Sequence, residues 1–475
     1  MQKRITAIYI ALLLICAVVL SCVVLLNRGN DTEVSGVSAN PESPAPAISS
    51  MALRMYWVSQ TPAISSPVID DPSLPEEESS LPPADESSIP EETSDDTPKD
   101  SIVRFLACPD NIIHPSIYYD ALIRACAKKG ETPVFNRLRD ADYDFASIYE
   151  YVAPVIRDAD IAYVNVETLI GGTQGEISGY PTFNTPEKAG YTLCDLGFDV
   201  FNLAHNHMLD SYNDKYLINC NRFFTDLGKV TIGYYKNKAD TDNIRIVEKN
   251  GIKIAFLAYT FSTNGVSLQP GAETYIPYFS EELIEKQVAL AKSQADVIVA
   301  SCHWGDEDTY TPNAHQKKYA DLLVRLNVDV ILGMHPHVIQ PMEWRDRPDG
   351  GRSLLVYSLG NFVSGMQDGF NTLGGMLSLD IVKTPDGKIS IENVIFDPIV
   401  THYEPSTKVK KDDTGYRNFK IYYLADYTDE LAAKHNVPIW DKTHRPTLVG
   451  GTFNRQNLIN TVYKYIPSEF LRGNF

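Results

Sequence analysis

The sequence lacks the basic clusters typical of nucleic-acid-binding proteins and the cysteine spacing of disulfide-stabilised ones. Its 475 residues include 42 Lys and Arg against 61 Asp and Glu, which gives a formal net charge of −19. Phosphate backbones are bound by clustered cations, so this balance argues against nucleic acid as a partner. The 7 cysteines are scattered and form no CxxC pair. Apart from Cys16 and Cys22, we expect them to be small buried hydrophobic residues.

Long hydrophobic runs are also absent, except at the N-terminus. Residues 5–26 are 22 consecutive residues without a charge, about the length that crosses the hydrocarbon core of a bilayer. Because Lys3 and Arg4 precede this run, residues 1–4 are predicted to be cytoplasmic and the residues after Leu26 extracellular. The alternatives are a lipoprotein, with "VLSC" ending at Cys22, and a cleaved signal peptide.

Residues 27–100 are poor in apolar side chains and rich in Pro, Ser, Glu and Asp. They hold 15 acidic and 3 basic residues, and therefore −12 of the net charge of −19. So little apolar surface does not offset the entropy lost on ordering the chain. We therefore predict a disordered acidic linker, which prolines and like charges keep extended.

From Ser101 onward, short apolar runs alternate with amphipathic segments. Helices are predicted within 184–197, 212–228, 280–295 and 311–327, and apolar runs such as "DVIVASC" predict the strands between them. This alternation is typical of α/β domains. We predict an α/β domain over 101–400, followed by a C-terminal extension over 401–475.

Five of the predicted strands are followed at once by polar residues. These residues are Asp110, Asn111, His114, Asn165, Glu167, His205, Asn206, His207, Asp210, His303, Glu307, His335 and His337. Ligands of α/β proteins gather at the carboxyl ends of strands, so the five ends can converge on one site. Carboxylate, carboxamide and neutral imidazole together suit Zn, Mn, Fe, Ni or Co. A shared carboxylate can bridge two such ions.

Each of these residues also has a structural interpretation when it is taken alone. His303, beside Trp304, is then a core histidine with satisfied hydrogen bonds. Asp110 is a turn residue and Glu167 a solvated strand end. Asn206 and His207 cap a helix, and the "HPH" at 335–337 is a turn. The joint occurrence favours a shared site, because six of the ten histidines fall at these strand ends.

Seven motifs, taken in order, resemble those of a known family. They are "PDNIIH", "NVE", "FNTP", "NLAHNHMLD", "HWGDE", "GMHPHVIQ" and "YSLGNF". Their order is similar to that of the CapA family of bacterial poly-γ-glutamate capsule synthesis proteins, which resembles the calcineurin-like metallophosphoesterases. The resemblance covers roughly 101–400. It implies a four-layer α/β/β/α sandwich, in which helices flank two mixed sheets and the site lies on loops at one edge.

The resemblance also implies roles for individual residues. It makes His207 the catalytic residue that meets a phosphate or donates a proton, and places His114 and Asn361 in substrate binding. The implied ligands of one or two divalent metal ions are Asp110, Glu167 as the bridging carboxylate, Asn206, His303, His335 and His337. Pro109 replaces the family's Gly before Asp110, and Met334 stands where the family often has a polar residue. Neither change removes a ligand.

The function expected from this resemblance is synthesis, export or anchoring of an anionic polymer such as poly-γ-glutamate. The protein would be bacterial and anchored in the cell membrane by a single helix, with its C-terminal domain extracellular and other capsule synthesis membrane proteins as partners. One alternative is a metal-dependent phosphoesterase that acts on nucleotide, lipid or cell-wall phosphate. Another is a non-enzymatic subunit of an export complex. Whether the site is catalytic is left open, because fold alone does not fix chemistry.

Overall fold

The computed structural model describes residues 99–437 and 448–473. The predicted cytoplasmic end 1–4 and membrane-spanning segment 5–26 lie outside these residues, as does the predicted linker except for Lys99 and Asp100. Within the described ranges, no helix has both the length and the apolar character needed to span a bilayer.

The described residues form strands and helices in alternation over most of the domain. The strands are β1 Ser101–Asn111, β2 Ile161–Asn165, β3 Val200–Asn202, β4 Val230–Ile232, β5 Arg245–Lys249, β6 Ile252–Thr260, β7 Val297–His303, β8 Val330–Met334, β9 Ile339–Asp346, β10 Arg352–Leu359, β11 Asn361–Val363, β12 Leu373–Lys383, β13 Ile389–Pro405 and β14 Tyr416–Tyr423. The helices are α1 Pro115–Lys129, α2 Ala153–Asp158, α3 Glu187–Leu196, α4 Lys215–Asp226, α5 Glu281–Lys292, α6 Ala314–Arg325, α7 Asp429–Lys434 and α8 Arg455–Tyr465.

The strands form two mixed sheets, which confirms the predicted α/β class. The larger sheet has the order β14-β13-β12-β1-β2-β3-β4, and β11 pairs with β1 off this path. The smaller sheet has the order β5-β6-β7-β8-β10-β9. In the larger sheet β1 to β4 run parallel, and in the smaller one β6, β7, β8 and β10 do. Parallel neighbours place their carboxyl ends at the same edge, which is where the polar residues follow.

The two sheets pack face to face over a shared apolar core. Phe105 of β1 contacts Phe256 of β6, with ring centroids 6.1 Å apart. The hydroxyl groups of Tyr163 and Ser301 meet across the same interface, with 2.7 Å between their oxygens. Apolar residues of both sheets belong to one buried cluster. Burial of this area is the main favourable term that holds the sheets together.

Helices pack on the strands of both sheets. Ile284 of α5 and Leu323 of α6 belong to a second buried cluster with strand residues such as Leu257. On the larger sheet, the ring of Phe224 in α4 stacks on Phe201 of β3 at 4.0 Å. The strands that carry the polar residues are therefore held rigidly on both faces.

The predicted C-terminal extension contributes to the larger sheet. Strand β13 continues to Pro405, and β14 pairs with it in antiparallel orientation. The loop between them is fixed by Asp413, which forms a 2.6 Å ion pair with Arg417 and accepts a 2.8 Å hydrogen bond from the Ser116 hydroxyl of α1. Part of 401–475 is thus joined to the helix that begins beside the candidate site.

Candidate metal centre

A row of amide and carboxylate side chains ends three parallel strands of the larger sheet. Asn202 of β3 is in register with Asn165 of β2, which is in register with Asp110 of β1. The amide of Asn202 donates to Asn165 Oδ1 at 2.7 Å, and the amide of Asn165 donates to Asp110 Oδ1 at 2.7 Å. Asp110 Oδ2 accepts from the backbone N–H of His335 at 3.1 Å. The carboxylate of Asp110 is therefore fixed from both sheets.

The six residues predicted as metal ligands meet at one place between the two sheet edges. Ligand atoms of Asp110, Glu167 and His303 lie within 4.8 Å of one another, and so do those of Glu167, His335 and His337. Asn206 joins them, since its Oδ1 lies 3.0 Å from His303 Nε2. All six side chains are buried. Loops that are far apart in sequence thus share one polar centre.

Glu167 occupies the middle of this centre. Its Oε1 lies 3.6 Å from His303 Nε2 and 3.5 Å from His337 Nε2. The residue is 1% exposed, and neither of its oxygens accepts a hydrogen bond from any described residue. Burial and the Asp110 carboxylate raise the pKa of Glu167 well above its usual range. A buried carboxylate without donors is costly, and a cation offsets that cost.

The imidazole of His337 is oriented by an amide. Its Nδ1 lies 3.0 Å from Asn361 Oδ1, while the Asn361 nitrogen donates to the backbone oxygen of Asn371 at 2.9 Å. Nδ1 therefore carries a hydrogen, and Nε2 is the nitrogen that faces Glu167. Burial lowers the pKa of His337, but Glu167 and Asp110 outweigh it and raise that pKa to about 10. A divalent cation between Nε2 and Glu167 would replace the extra proton.

His303 and His335 are held in the neutral form that a metal ligand needs. Burial, followed by the neighbouring imidazoles, lowers the pKa of both well below the ordinary value. Nδ1 of each ring is buried and has no hydrogen-bond partner among the described residues. The half-exposed ring of Phe261 lies on His335, with centroids 4.7 Å apart. Phe261 thus forms part of the rim on the solvent side.

Asn206 presents its amide oxygen to the centre because its nitrogen is held elsewhere. The nitrogen donates to Asn264 Oδ1 at 3.2 Å, which leaves Oδ1 facing His303. Sequence reasoning did not single out Asn264. It has a positive φ of 53° and precedes Gly265, a pair that marks a turn but gives no sign of a role beside the site.

His207 and His114 both contact the ring of Phe183. His207 Nδ1 is 2.9 Å from Asp210 Oδ2, and this carboxylate also accepts the backbone N–H of Phe183 at 2.6 Å. The Phe183 ring meets both imidazoles edge-on, at 4.9 Å for His207 and 5.4 Å for His114. Burial, followed by His337, lowers the pKa of His114 to about 3, and its Nδ1 accepts the backbone N–H of Gly365 at 3.1 Å.

The candidate ligand atoms of the described residues fit a divalent metal ion. Two carboxylates, a carboxamide oxygen and three imidazoles converge with several buried polar atoms left without hydrogen bonds. This mixture suits Mn, Fe, Co, Ni or Zn better than Ca or Mg. Glu167 belongs to both ligand groups, as expected of a carboxylate shared by two ions. The metal roles of these residues and the catalytic role of His207 stay predictions.

Of the residues that support the ligands, sequence reasoning named one and missed two others. Asn165, grouped with the polar strand ends, donates to Asp110. Asn202 and Asn371 were not singled out, although one extends the amide row and the other holds Asn361. An available signal was that asparagine ends both of the buried strands "IAYVN" and "VFN". A polar residue at the last position of a buried strand needs a partner at the sheet edge.

By its fold and candidate site, the protein is a two-sheet α/β protein in which carboxylate, amide and imidazole groups converge at the strand ends. Residues 105–366 match the family model described as "Bacterial capsule synthesis protein PGA_cap". This match spans more than half of the chain, and the chain belongs to that family.

The chain is also similar to individual proteins of known name. The chain is 27% identical over 309 residues to the "PGA biosynthesis protein CapA" of Bacillus subtilis (strain 168), covering 61% of this chain and 78% of the relative. It is 29% identical over 224 residues to the "Capsule biosynthesis protein CapA" of Bacillus anthracis, covering 46% of this chain and 53% of that one. Among solved structures, the calcineurin-like phosphoesterase YfkN from Bacillus subtilis is 16% identical with a TM-score of 0.35, covering 62% of this chain and 91% of YfkN.

Proposed function

We propose that this protein is a membrane-anchored, extracellular member of a bacterial capsule synthesis system and that its metal-dependent site acts on an anionic polymer such as poly-γ-glutamate. Its role is in synthesis, export or anchoring of that polymer. Family membership supports the capsule assignment. The metal-dependent site rests on one observation above all: the buried Glu167 carboxylate has no hydrogen-bond donor among the described residues and lies between two imidazoles.

The chain's own residues divide into ligands and groups that face the substrate. Asp110, Glu167, Asn206, His303, His335 and His337 would hold one or two divalent cations in the four-layer α/β/β/α frame. Bound cations supply Lewis acidity and positive charge to a carboxylate or phosphate group of the substrate. His207 is oriented through Nδ1 by Asp210, which leaves Nε2 to exchange a proton with that group. His114 stays neutral and lines the same rim.

The location is argued from the N-terminal sequence. The uncharged run 5–26 anchors the chain, and the acidic linker 27–100 holds the domain away from the membrane. Other membrane proteins of capsule synthesis are the expected partners. Protease added to intact cells should cleave the domain from the membrane fraction, whereas a domain protected until the cells are lysed contradicts the proposed orientation.

The proposed chemistry is tested with the full chain in detergent micelles. We expect at least one transition-metal ion per chain by elemental analysis, and Mn²⁺-dependent binding or shortening of poly-γ-glutamate that Glu167→Gln abolishes. Chain length is followed by gel filtration. A wild-type protein that holds no ion and leaves the polymer unbound and uncut contradicts the proposal. Ion and polymer binding without cleavage would instead identify a non-enzymatic subunit.

A second candidate function is hydrolysis of a phosphoester of a nucleotide, lipid or cell-wall polymer. The His207–Asp210 pair favours it, because a carboxylate-oriented imidazole beside a ligand cluster is suited to protonating a leaving group. In that case a generic phosphodiester is turned over with Mn²⁺, and His207→Ala removes the turnover while the metal content stays unchanged. Absence of any phosphodiester turnover in the metal-loaded wild type would exclude this candidate.

A further inference from the structure

The C-terminal segment 448–473 packs against a loop that leads away from the candidate metal centre. The ring of Tyr465 in α8 stacks on Tyr310, with centroids 4.3 Å apart and planes 2° from parallel. Tyr310 lies on the loop that follows β7, whose last residue is His303. In the same loop, the backbone N–H of Asp308 donates to the oxygen of Pro336 at 2.9 Å. The stacked tyrosines therefore rest on the loop that holds the turn between His335 and His337.

The same segment contacts a second element behind the centre, the 3-10 turn Gly369–Thr372. Leu448 and Phe453 are buried in the core. A Cβ atom at position 369 would lie 3.0 Å from Phe453 Cδ2 and 3.6 Å from Leu448 Cδ1, so this turn and the segment are in close contact. All four residues of the turn are buried.

Asn371 connects this turn to the candidate ligand His337. Its side-chain nitrogen donates to Asp308 Oδ1 at 2.9 Å and to the backbone oxygen of His337 at 3.2 Å. Its backbone oxygen accepts the amide of Asn361, which in turn accepts from His337 Nδ1. The loop and the turn that the C-terminal segment contacts are thus each connected to His337 by no more than two hydrogen bonds, which reach its backbone oxygen and its ring.

We infer that segment 448–473 is a positioning element of the metal centre, which acts on His337 through Tyr310, Asp308 and Asn371. The inference rests on the proposed metal-dependent function. Partners beyond the ligands themselves fix the ring orientation of ligating histidines, and their loss typically costs 10–100-fold in metal affinity. Asn371 and Tyr465 both lie beyond residues 105–366, where the family match ends. The support therefore comes from the part of the chain whose role the family assignment does not cover.

The test measures Mn²⁺ affinity by calorimetric titration of the full chain in detergent micelles. Tyr465→Ala and Asn371→Ala should each raise the Kd for Mn²⁺ about 10-fold. Tyr465→Phe keeps the stacked ring and should stay close to wild type. Phe470→Ala is the matched control, because Phe470 belongs to the same segment but packs on Trp344, with ring centroids 6.4 Å apart. It should lower the melting temperature without changing the Kd.

Each other outcome overturns the inference in a distinguishable way. If wild-type protein binds Mn²⁺ and both alanine variants bind it equally well, the segment does not position the ligands and the proposed function is unaffected. If Phe470→Ala weakens binding as much as Tyr465→Ala, general destabilisation explains the loss and the specific path fails. If the wild type binds no Mn²⁺, the proposed metal centre fails, and the positioning role fails with it.

Discussion

Two groups of buried histidines differ in what their ring nitrogens contact. In the candidate metal centre, His303 and His335 lie 4.8 Å apart, and a nitrogen of each ring lacks a hydrogen-bond partner among the described residues. In the second group, His402 and His435 lie 5.2 Å apart. There Tyr427 and Glu404 contact the nitrogens of His402, at 2.9 and 3.5 Å. The oxygen of Thr401 and the N–H of Val437 contact those of His435, at 3.0 and 3.1 Å.

This difference separates ligand candidates from structural histidines better than burial or proximity does. Both groups are buried, and both contain rings in contact. Only in the first does a carboxylate without hydrogen-bond donors lie between two imidazoles. A carboxylate and imidazoles that lack hydrogen-bond partners have lone pairs free to bind a cation, whereas the ring nitrogens of the second group are already hydrogen-bonded within the fold. Variants in and around the two groups distinguish these cases.

The largest effect is expected for Glu167→Gln. This change removes the charge shared by the two ligand groups, so ion binding should fall about 100-fold or more. With chelator present, the free energy of unfolding should rise, because a buried carboxylate without donors no longer has to be desolvated. Calorimetric Mn²⁺ titration and urea unfolding measure the two quantities. Unchanged ion affinity in this variant would show that the carboxylate holds no metal.

Removing the ion should destabilise the protein through the first histidine group and not through the second. With ion at about 100 times its Kd, chelation should lower the free energy of unfolding by about 3 kcal/mol. His303→Ala should abolish this difference. His402→Ala should retain it, although that variant is less stable throughout. Urea unfolding with and without chelator is the measurement. An equal response of both variants would mean that the two histidine groups do not differ in ion binding.

A smaller effect is expected when the amide row is broken at Asn202, which is not itself a predicted ligand. Asn202→Ala removes the donor to Asn165, which orients Asp110. Ion affinity should fall about 10-fold, equivalent to about 1.4 kcal/mol, because an outer partner is lost while every ligand remains. Gln287→Ala removes a buried amide on α5 that donates to Tyr235 and to the backbone oxygen of Thr241, and it serves as the matched control. Equal affinities in the two variants would contradict the role of the row.

The smallest effect concerns pH and the second group. Burial, followed by His402, lowers the pKa of His435 to about 3, against about 6.5 in the unfolded chain. As the pH decreases through about 6.5, the unfolded chain gains a proton that the folded protein does not. The free energy of unfolding therefore decreases as the pH decreases. Between pH 7 and pH 6 this loss is about 0.7 kcal/mol. His435→Gln should remove that share of the slope, as measured by urea unfolding at both pH values; an unaltered slope would mean that His435 titrates normally in the fold.

Sequence patterns located the strand ends and the residues that converge there. Apolar runs bounded by Asp110, Glu167 and His303 were enough, because parallel strands bring such residues to one edge. The four predicted helices are present as α3, α4, α5 and α6. Their starts were less accurate, since the Thr311-Pro312 pair at the beginning of the range 311–327 is typical of a helix start but does not begin α6. It begins instead after Asn313, which forms a reciprocal capping box with Gln316.

The support that Asn371 gives to the candidate ligand His337 was not predictable from the sequence. Asn371 lies on a 3-10 turn whose place depends on the packing of Phe453 and Leu448, which are far away along the chain. The sequence shows no partner for His402 or His435, because their partners are brought into contact only by the fold of β13 and the C-terminal residues. Pairings of this kind depend on tertiary contacts that local periodicity does not encode. Most cysteines fitted their expected role: Cys108, Cys126, Cys220 and Cys302 are free and buried, and Cys194 is half-buried.

The most direct test of the metal centre is anomalous diffraction from crystals soaked in Mn²⁺. The arrangement predicts one or two anomalous peaks within coordination distance of Glu167, at the group that it forms with Asp110 and His303, at the group that it forms with His335 and His337, or at both. Mn²⁺ bound elsewhere, or a fully soaked crystal with no peak beside Glu167, would show that these imidazoles and carboxylates have another purpose.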